Sequence, residues 1–150
     1  MPVSFTLSDG IGIFTTVGDV DFEEGLDILE KGMDAVHKSG QPHVLLFDFS
    51  QSAENRSAEE LHTISMFIQE RLPRAHLAMV AQQDLYYGIS RMFSSFAESL
   101  SLDSRAFRNR DEAIDWCNAR AKVKPQDTAE STEITAQTER QSNLETTETS

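Results

Sequence analysis

The order of hydrophobic patterns in this chain predicts an α/β fold: a mixed, mostly parallel five-stranded sheet with four helices, in the order β-β-α-β-α-β-α-β-α. Three observations carry that expectation. Two alternating stretches flank Asp9-Gly10, a dipeptide suited to the positive φ angles of a tight hairpin. Two short apolar runs, Val44 to Phe49 and His76 to Ala81, are too short for free-standing helices and read as interior strands covered on both faces. Each run is followed by a segment whose apolar residues recur at steps of three and four. Single strands alternating with single helices favour right-handed crossovers into parallel pairing, with the first hairpin strand as the antiparallel exception.

In chain order, Val3, Phe5 and Leu7 alternate with Ser4 and Thr6, and Ile11, Ile13, Thr15 and Val17 resume the alternation after the turn. Phe22, Leu26, Leu29, Met33 and Val36 form the stripe of a first helix, capped by Asp19 or Asp21 and ended at Ser39-Gly40. The central strand ends at Asp48 to Ser50, and polar Gln51 to Arg56 reads as an exposed loop beyond its carboxyl end. Ser57, followed three residues later by Glu60, predicts a capping box, and Leu61, Ile64, Ile68 and Leu72 the stripe of a second helix stopped by Pro73. After the next strand, Asp84 is expected to cap a third helix whose core face is Leu85, Ile89, Met92, Phe93, Phe96 and Leu100. Arg105 to Phe107 reads as a short last strand. Asp111 is expected to cap a fourth helix with Ala113, Ile114, Cys117 and Ala121 inward.

Hydrophobic residues make up 39% of the 150, enough for one core, which is expected in residues 1–122. From Val123 to Ser150 the chain is rich in Thr, Glu, Gln and Ser and predicts a disordered acidic tail, unable to offset its ordering entropy by burial. The net charge is -12, and acidic residues outnumber basic ones nineteen to eleven up to Lys122 and six to two thereafter. Such a surface repels phosphate backbones and anionic headgroups, so nucleic acid is not an expected partner. A single cysteine, the absence of a signal-like start and the shortness of the apolar runs predict a chain without internal disulfides or a membrane span, in a reducing cytoplasm.

Catalytic and metal-binding patterns are weak. His37, His43, His62 and His76 are scattered singly, with no pair at i, i+4, so they read as surface or strand-edge residues and no metal or other cofactor is expected. Cys117 reads as a buried structural thiol, and no Gly-x-Ser-x-Gly elbow is present. Gly10-Ile11-Gly12 opens a strand rather than a helix, so it makes a turn and not a phosphate cradle. Asp19, Asp21 and Asp48 resemble the acidic cluster of a receiver domain, but that domain's late lysine is missing and the leading hairpin does not suit it.

Two stretches stand above this background. In Asn55-Arg56-Ser57, a serine at a helix N-terminus could carry a phosphate stabilised by the dipole and by Arg56, with a plain cap as the alternative. Tyr86-Tyr87-Gly88-Ile89-Ser90-Arg91-Met92 opens the third helix. Gly88 there suggests close packing, and Arg91 could meet an anion together with Arg105, Arg108 or Arg110; the alternative is that these arginines pair with Glu98, Asp103 or Asp111.

Taken together, the leading hairpin, the run Val44-Leu45-Leu46-Phe47-Asp48-Phe49-Ser50, the segment from Tyr87 to Phe93, and Arg105 to Ala113 with Trp116 make the chain, from Val3 to about Arg120, resemble the STAS superfamily of anti-sigma-factor antagonists. The likeness is to its divergent bacterial single-domain branch, and it implies a STAS-like fold. In antagonist members the central strand leads to Asp-Ser-Ser-Gly-Leu, whose first serine a partner kinase phosphorylates. Here Arg56-Ser57-Ala58-Glu59 falls on Asp-Ser-Ser-Gly: Ser57 matches, Arg56 replaces the acid and Glu59 the glycine. The resemblance therefore implies a non-enzymatic regulatory module that binds a protein partner, kinase-like or a second copy of the chain, through Asp48, Ser50, Asn55, Arg56 and Ser57, with Ser57 as the phosphorylation candidate. The fold is also similar to that of lipid-transfer CRAL-TRIO domains. That likeness implies a second role, holding a small hydrophobic or anionic ligand among Phe14, Tyr86, Tyr87, Gly88 and Phe93, with Arg91 on a carboxylate.

Overall fold

A computed structural model describes residues 3–53 and 56–122. Asn55 and the expected tail lie outside the described residues. The chain runs β1 (Val3–Ser8), β2 (Ile11–Gly18), α1 (Phe22–Lys38), β3 (Val44–Ser52), α2 (Ala58–Arg71), β4 (His76–Val80), α3 (Asp84–Ser99), β5 (Asp103–Phe107) and α4 (Arg110–Ala121), the order expected from the sequence. Asp9 and Gly10 have φ angles of 52° and 82°, and the turn they make pairs Ser8 with Ile11 and Val3 with Thr16.

The five strands lie in sequence order, β1-β2-β3-β4-β5, with the first pair antiparallel and the other three parallel. This order decides the layering. When each new strand is added on the same side of its predecessor, right-handed crossovers place every connecting helix on one face of the sheet. The larger core accordingly joins Phe14, Leu45, Phe47, Leu77 and Met79 of the sheet to Leu29 and Met33 of α1, Leu61 and Ile68 of α2, and Phe93 and Ala97 of α3. The opposite face would stay wet without α4, which returns across it and buries Ala113, Trp116 and Cys117 against Val44, Leu46, Ala78 and Val80. Val44, Leu45 and Leu46 are each 0% exposed, as a strand covered on both faces requires.

Gly32 sets how closely α1 approaches the hairpin: a Cβ built there would lie 2.5 Å from the Phe14 ring and 2.7 Å from that of Phe5. The two rings sit 4.9 Å apart, and Phe14 stacks in turn on Phe47 at 5.2 Å.

Several local expectations are corrected. β3 runs on to Ser52, so Gln51 and Ser52 belong to the strand, and Ser52 is buried rather than part of an exposed loop. Asp84 is the first residue of α3 and not its cap; Gln83 holds the cap position without a side-chain bond, while the Asp84 carboxylate accepts from Arg108 at 2.7 Å. Asn109, not Asp111, caps α4, accepting from the Glu112 N–H at 3.1 Å. The buried side of α3 is Ser90, Phe93, Ser94 and Ala97, whereas Leu85 and Met92 are 60% and 41% exposed. The helix is turned so that two small serines meet the sheet side, where Ser94 and Ser104 share a 2.8 Å hydroxyl bond. Gly88 has open space where a Cβ would stand, so no close packing explains it. His43 is 7% exposed and its ring lies 5.6 Å from that of His37, so of the two readings the surface one fails, while its place one residue before β3 fits the strand-edge one.

Candidate recognition site

The N-terminus of α2 is built as its sequence requires. The Ser57 hydroxyl accepts from the Glu60 N–H and the Glu60 carboxylate accepts from the Ser57 N–H, both at 3.1 Å, which satisfies two donors that an open helix end would leave orphaned. Ser57, Ala58 and Glu59 are exposed, and so is Gln51 at the end of β3.

Arg56 turns inward instead. Its side chain is 13% exposed; Nη2 donates to the Val20 carbonyl at 2.6 Å, the guanidinium lies 5.2 Å from the centre of the Phe22 ring, and Nη1 is 4.0 Å from the Glu60 carboxylate. The residue expected to sit beside a phosphate thus ties the approach to α2 to the start of α1.

Asp48 lies on the other side of the sheet. Between Asp48 and Gln51, β3 carries one more residue than the facing part of β2, and the Asp48 carboxylate accepts from the Ser50 N–H at 3.0 Å inside that irregularity. The same carboxylate is 8% exposed and pairs with Arg110, the first residue of α4. Ser50 is half-buried. The structure therefore separates the sequence candidates: Ser57 offers an accessible surface, while Asp48 anchors α4 and gives a partner little to touch.

The second candidate set divides in the same way. Tyr86 joins Phe14 and Phe93 in the wall of an apolar cavity of about 80 Å³ between the sheet and α1, α2 and α3. Tyr87 and Arg91 face a shallow groove with Ser94, Glu98 and Arg105, outside that cavity. Arg108 is held by Asp84 and lies 4.2 Å over the Tyr87 ring, and Arg110 is held by Asp48, so the expected partners Glu98, Asp103 and Asp111 are not the ones used. Asp103 instead accepts from His76 at 2.7 Å and Arg120 at 2.6 Å. Burial pushes its carboxyl upward, but those two bonds and charges outweigh it and hold the group below its usual range.

The cation in the cavity wall is Arg56, and the polar residues there include Thr16 and Ser52. Thr16 was not legible as a site residue, since the alternation read through Ile11, Ile13, Thr15 and Val17 leaves it on the other face of β2, whereas Thr16 is buried and Val17 is 44% exposed. Gly25, also in the wall, was the available signal: a glycine within the apolar stretch of α1 opens space beside Phe22 and Leu26.

Cys117 is fully buried, and burial pushes its thiol up to about 12 with only partial opposition from the Arg120 charge, so no thiolate nucleophile forms near neutral pH. Among the described residues no group of three or more His, Cys, Asp or Glu is placed to hold a metal, and no helix is long and apolar enough to cross a membrane.

With this geometry in hand, comparison with solved structures is decisive for the fold. An uncharacterized protein of the DUF3478 family from Shewanella loihica PV-4, described as having a SpoIIAA-like fold, superposes with a TM-score of 0.55 over 77% of this chain and 91% of its own, at 17% identity. The fold of this chain is SpoIIAA-like. That is the fold of STAS domains and anti-sigma antagonists, the architecture implied by the sequence resemblance. No family model and no curated protein matches the chain. In the SpoIIAA-like frame, Ser57 stands at the start of the helix that follows the central strand, beside that strand's carboxyl end.

Proposed function

We propose that the chain is a non-enzymatic regulatory recognition module of the cytoplasm, in which a protein partner reads the exposed first turn of α2 and phosphorylation of Ser57 switches the interaction. The observation that carries this reading is the Ser57 hydroxyl, exposed at a helix N-terminus on a SpoIIAA-like fold. A phosphate on that oxygen meets the free N–H groups and the positive dipole end of α2. It also repels the Glu60 carboxylate and competes with it for the Ser57 N–H, so modification opens the capping box and changes the surface that the partner reads. Further support comes from Leu85 and Met92, exposed seven residues apart on α3, and Met66 on α2, which supply apolar contact area on the helical side.

The test is affinity capture from the source cells with four baits: the wild type, Ser57→Asp, Ser57→Ala and Ala58→Arg. Ser57→Asp keeps a good capping residue and adds charge, so the fold is retained while the partner is lost. Ser57→Ala costs about 1 kcal/mol of stability through the missing cap, keeps the partner, and abolishes the phosphopeptide spanning residue 57 in mass spectra. Equal capture by the wild type, Ser57→Asp and Ala58→Arg would remove this surface from consideration.

A further inference from the structure

The cavity behind α2 goes beyond the recognition surface and is independent of it. It lies at the carboxyl edge of the parallel strands, where Thr16 ends its β2 side and Ser52 its β3 side, and its other walls come from Val3, from α1 through Leu29, from α2 through Ile64 and from α3 through Phe93. α1, α2 and α3 all start at this same edge, so three positive helix ends lie near one apolar chamber. The Arg56 guanidinium, already held by Val20 and Phe22, adds a fixed positive charge at its rim.

Helix ends alone do not make a site, but Thr16 supplies a separate signal. It is 9% exposed, it lines the chamber, and its Oγ1 has no hydrogen-bond partner among the described residues. A buried hydroxyl left unmade is costly, and the nearest remedy is a polar atom inside the cavity. The remaining wall is aromatic and aliphatic, so the molecule that brings that atom must be apolar over most of its length. The roughly 80 Å³ available limits that molecule to a short chain.

We infer that this cavity is a binding site for a small monocarboxylate with a short aliphatic or aryl tail, the carboxylate accepting from Thr16 Oγ1 near Arg56 and the helix N-termini, and the tail lying among Phe14, Phe47 and Phe93. This assignment uses Thr16 and Arg56, and neither Tyr87 nor Arg91.

The probe is hexanoate, with hexan-1-ol as its neutral counterpart, titrated into the full chain by calorimetry and followed by amide chemical shifts. Hexanoate saturates at one per chain, shifting amides of β2 and the first turn of α1, and hexan-1-ol binds at least about tenfold more weakly because the charge-assisted contacts are lost. Thr16→Val weakens hexanoate at least about tenfold, the loss of one hydrogen bond to a charged acceptor, without lowering the unfolding midpoint. Gly25→Leu fills the chamber: a Cβ at Gly25 meets only Val20 at 3.7 Å and Arg56 at 3.8 Å, so the side chain enters without backbone conflict and abolishes binding. Absence of saturable binding, equal affinity for the alcohol, or undiminished binding by a folded Gly25→Leu variant overturns the inference. Each of these results leaves the Ser57 surface untouched.

Discussion

Ser57 and His43 show how differently single residues yield to local reasoning. The Ser57 cap follows from its own segment, because a hydroxyl followed three residues later by a carboxylate satisfies donors that any helix start exposes. His43 depends on distant neighbours: it is buried where β3 begins, with His37 5.6 Å away across the end of α1. Burial holds its imidazole below the ordinary value of 6.5, and the charges of His37 and His76 push in the same direction. The unfolded chain then binds the proton more readily than the folded one, so stability is lost as pH falls through 6.5 toward the lower folded value. Urea midpoints should be level above about pH 7.5 and decline below about pH 6.5, and His43→Gln should flatten that decline. A midpoint that rises on acidification through this window would contradict the account.

At the scale of elements, α3 separates pattern from packing. Its apolar residues suggest a stripe through Leu85 and Met92, yet the sheet is met by Ser90, Phe93, Ser94 and Ala97. Small serines fit where the helix approaches β5 closely, and the Ser94–Ser104 bond repays their burial, something no periodicity reveals. The consequence is measurable by chemical denaturation. Leu85→Gln and Met92→Gln should change stability by no more than about 0.5 kcal/mol, whereas Phe93→Ala should cost about 3–5 kcal/mol through the cavity it opens. Ser90→Ala should be neutral or stabilising, because the buried Ser90 hydroxyl has no partner among the described residues. The capping of α3 and α4 failed for a related reason: Asp84 and Asp111 carry suitable side chains, but the chain enters each helix one or two residues earlier.

For the whole molecule, the decisive constraint is that one helix must close a sheet face that three others cannot reach. The ion pair of Asp48 with Arg110 fastens the start of α4 to the middle of β3. Its two halves are unequal: the Asp48 side chain is 12% exposed and that of Arg110 44%. Removing the arginine strands a buried carboxylate, while neutralising the acid lets the guanidinium turn to water. Arg110→Met should therefore cost about 2–3 kcal/mol and Asp48→Asn distinctly less, as read from denaturation midpoints. Equal losses would mean that the pair is a surface contact and that α4 is held by Trp116 and Cys117 alone.

The sequence by itself determined the element order, the hairpin, the buried central strand, the Ser57 capping box and, through its resemblance, the SpoIIAA-like fold. The first four follow from local periodicity, turn chemistry and donor satisfaction within a few residues. The tertiary structure alone decided that α1, α2 and α3 share one face, that Asp48 and Arg56 turn away from the surface where Ser57 stands, and that Tyr86 parts from Tyr87 and Arg91. Those outcomes depend on the sequential strand order and on an extra residue in β3, which re-aim side chains relative to neighbours far along the chain, where no spacing pattern carries the information.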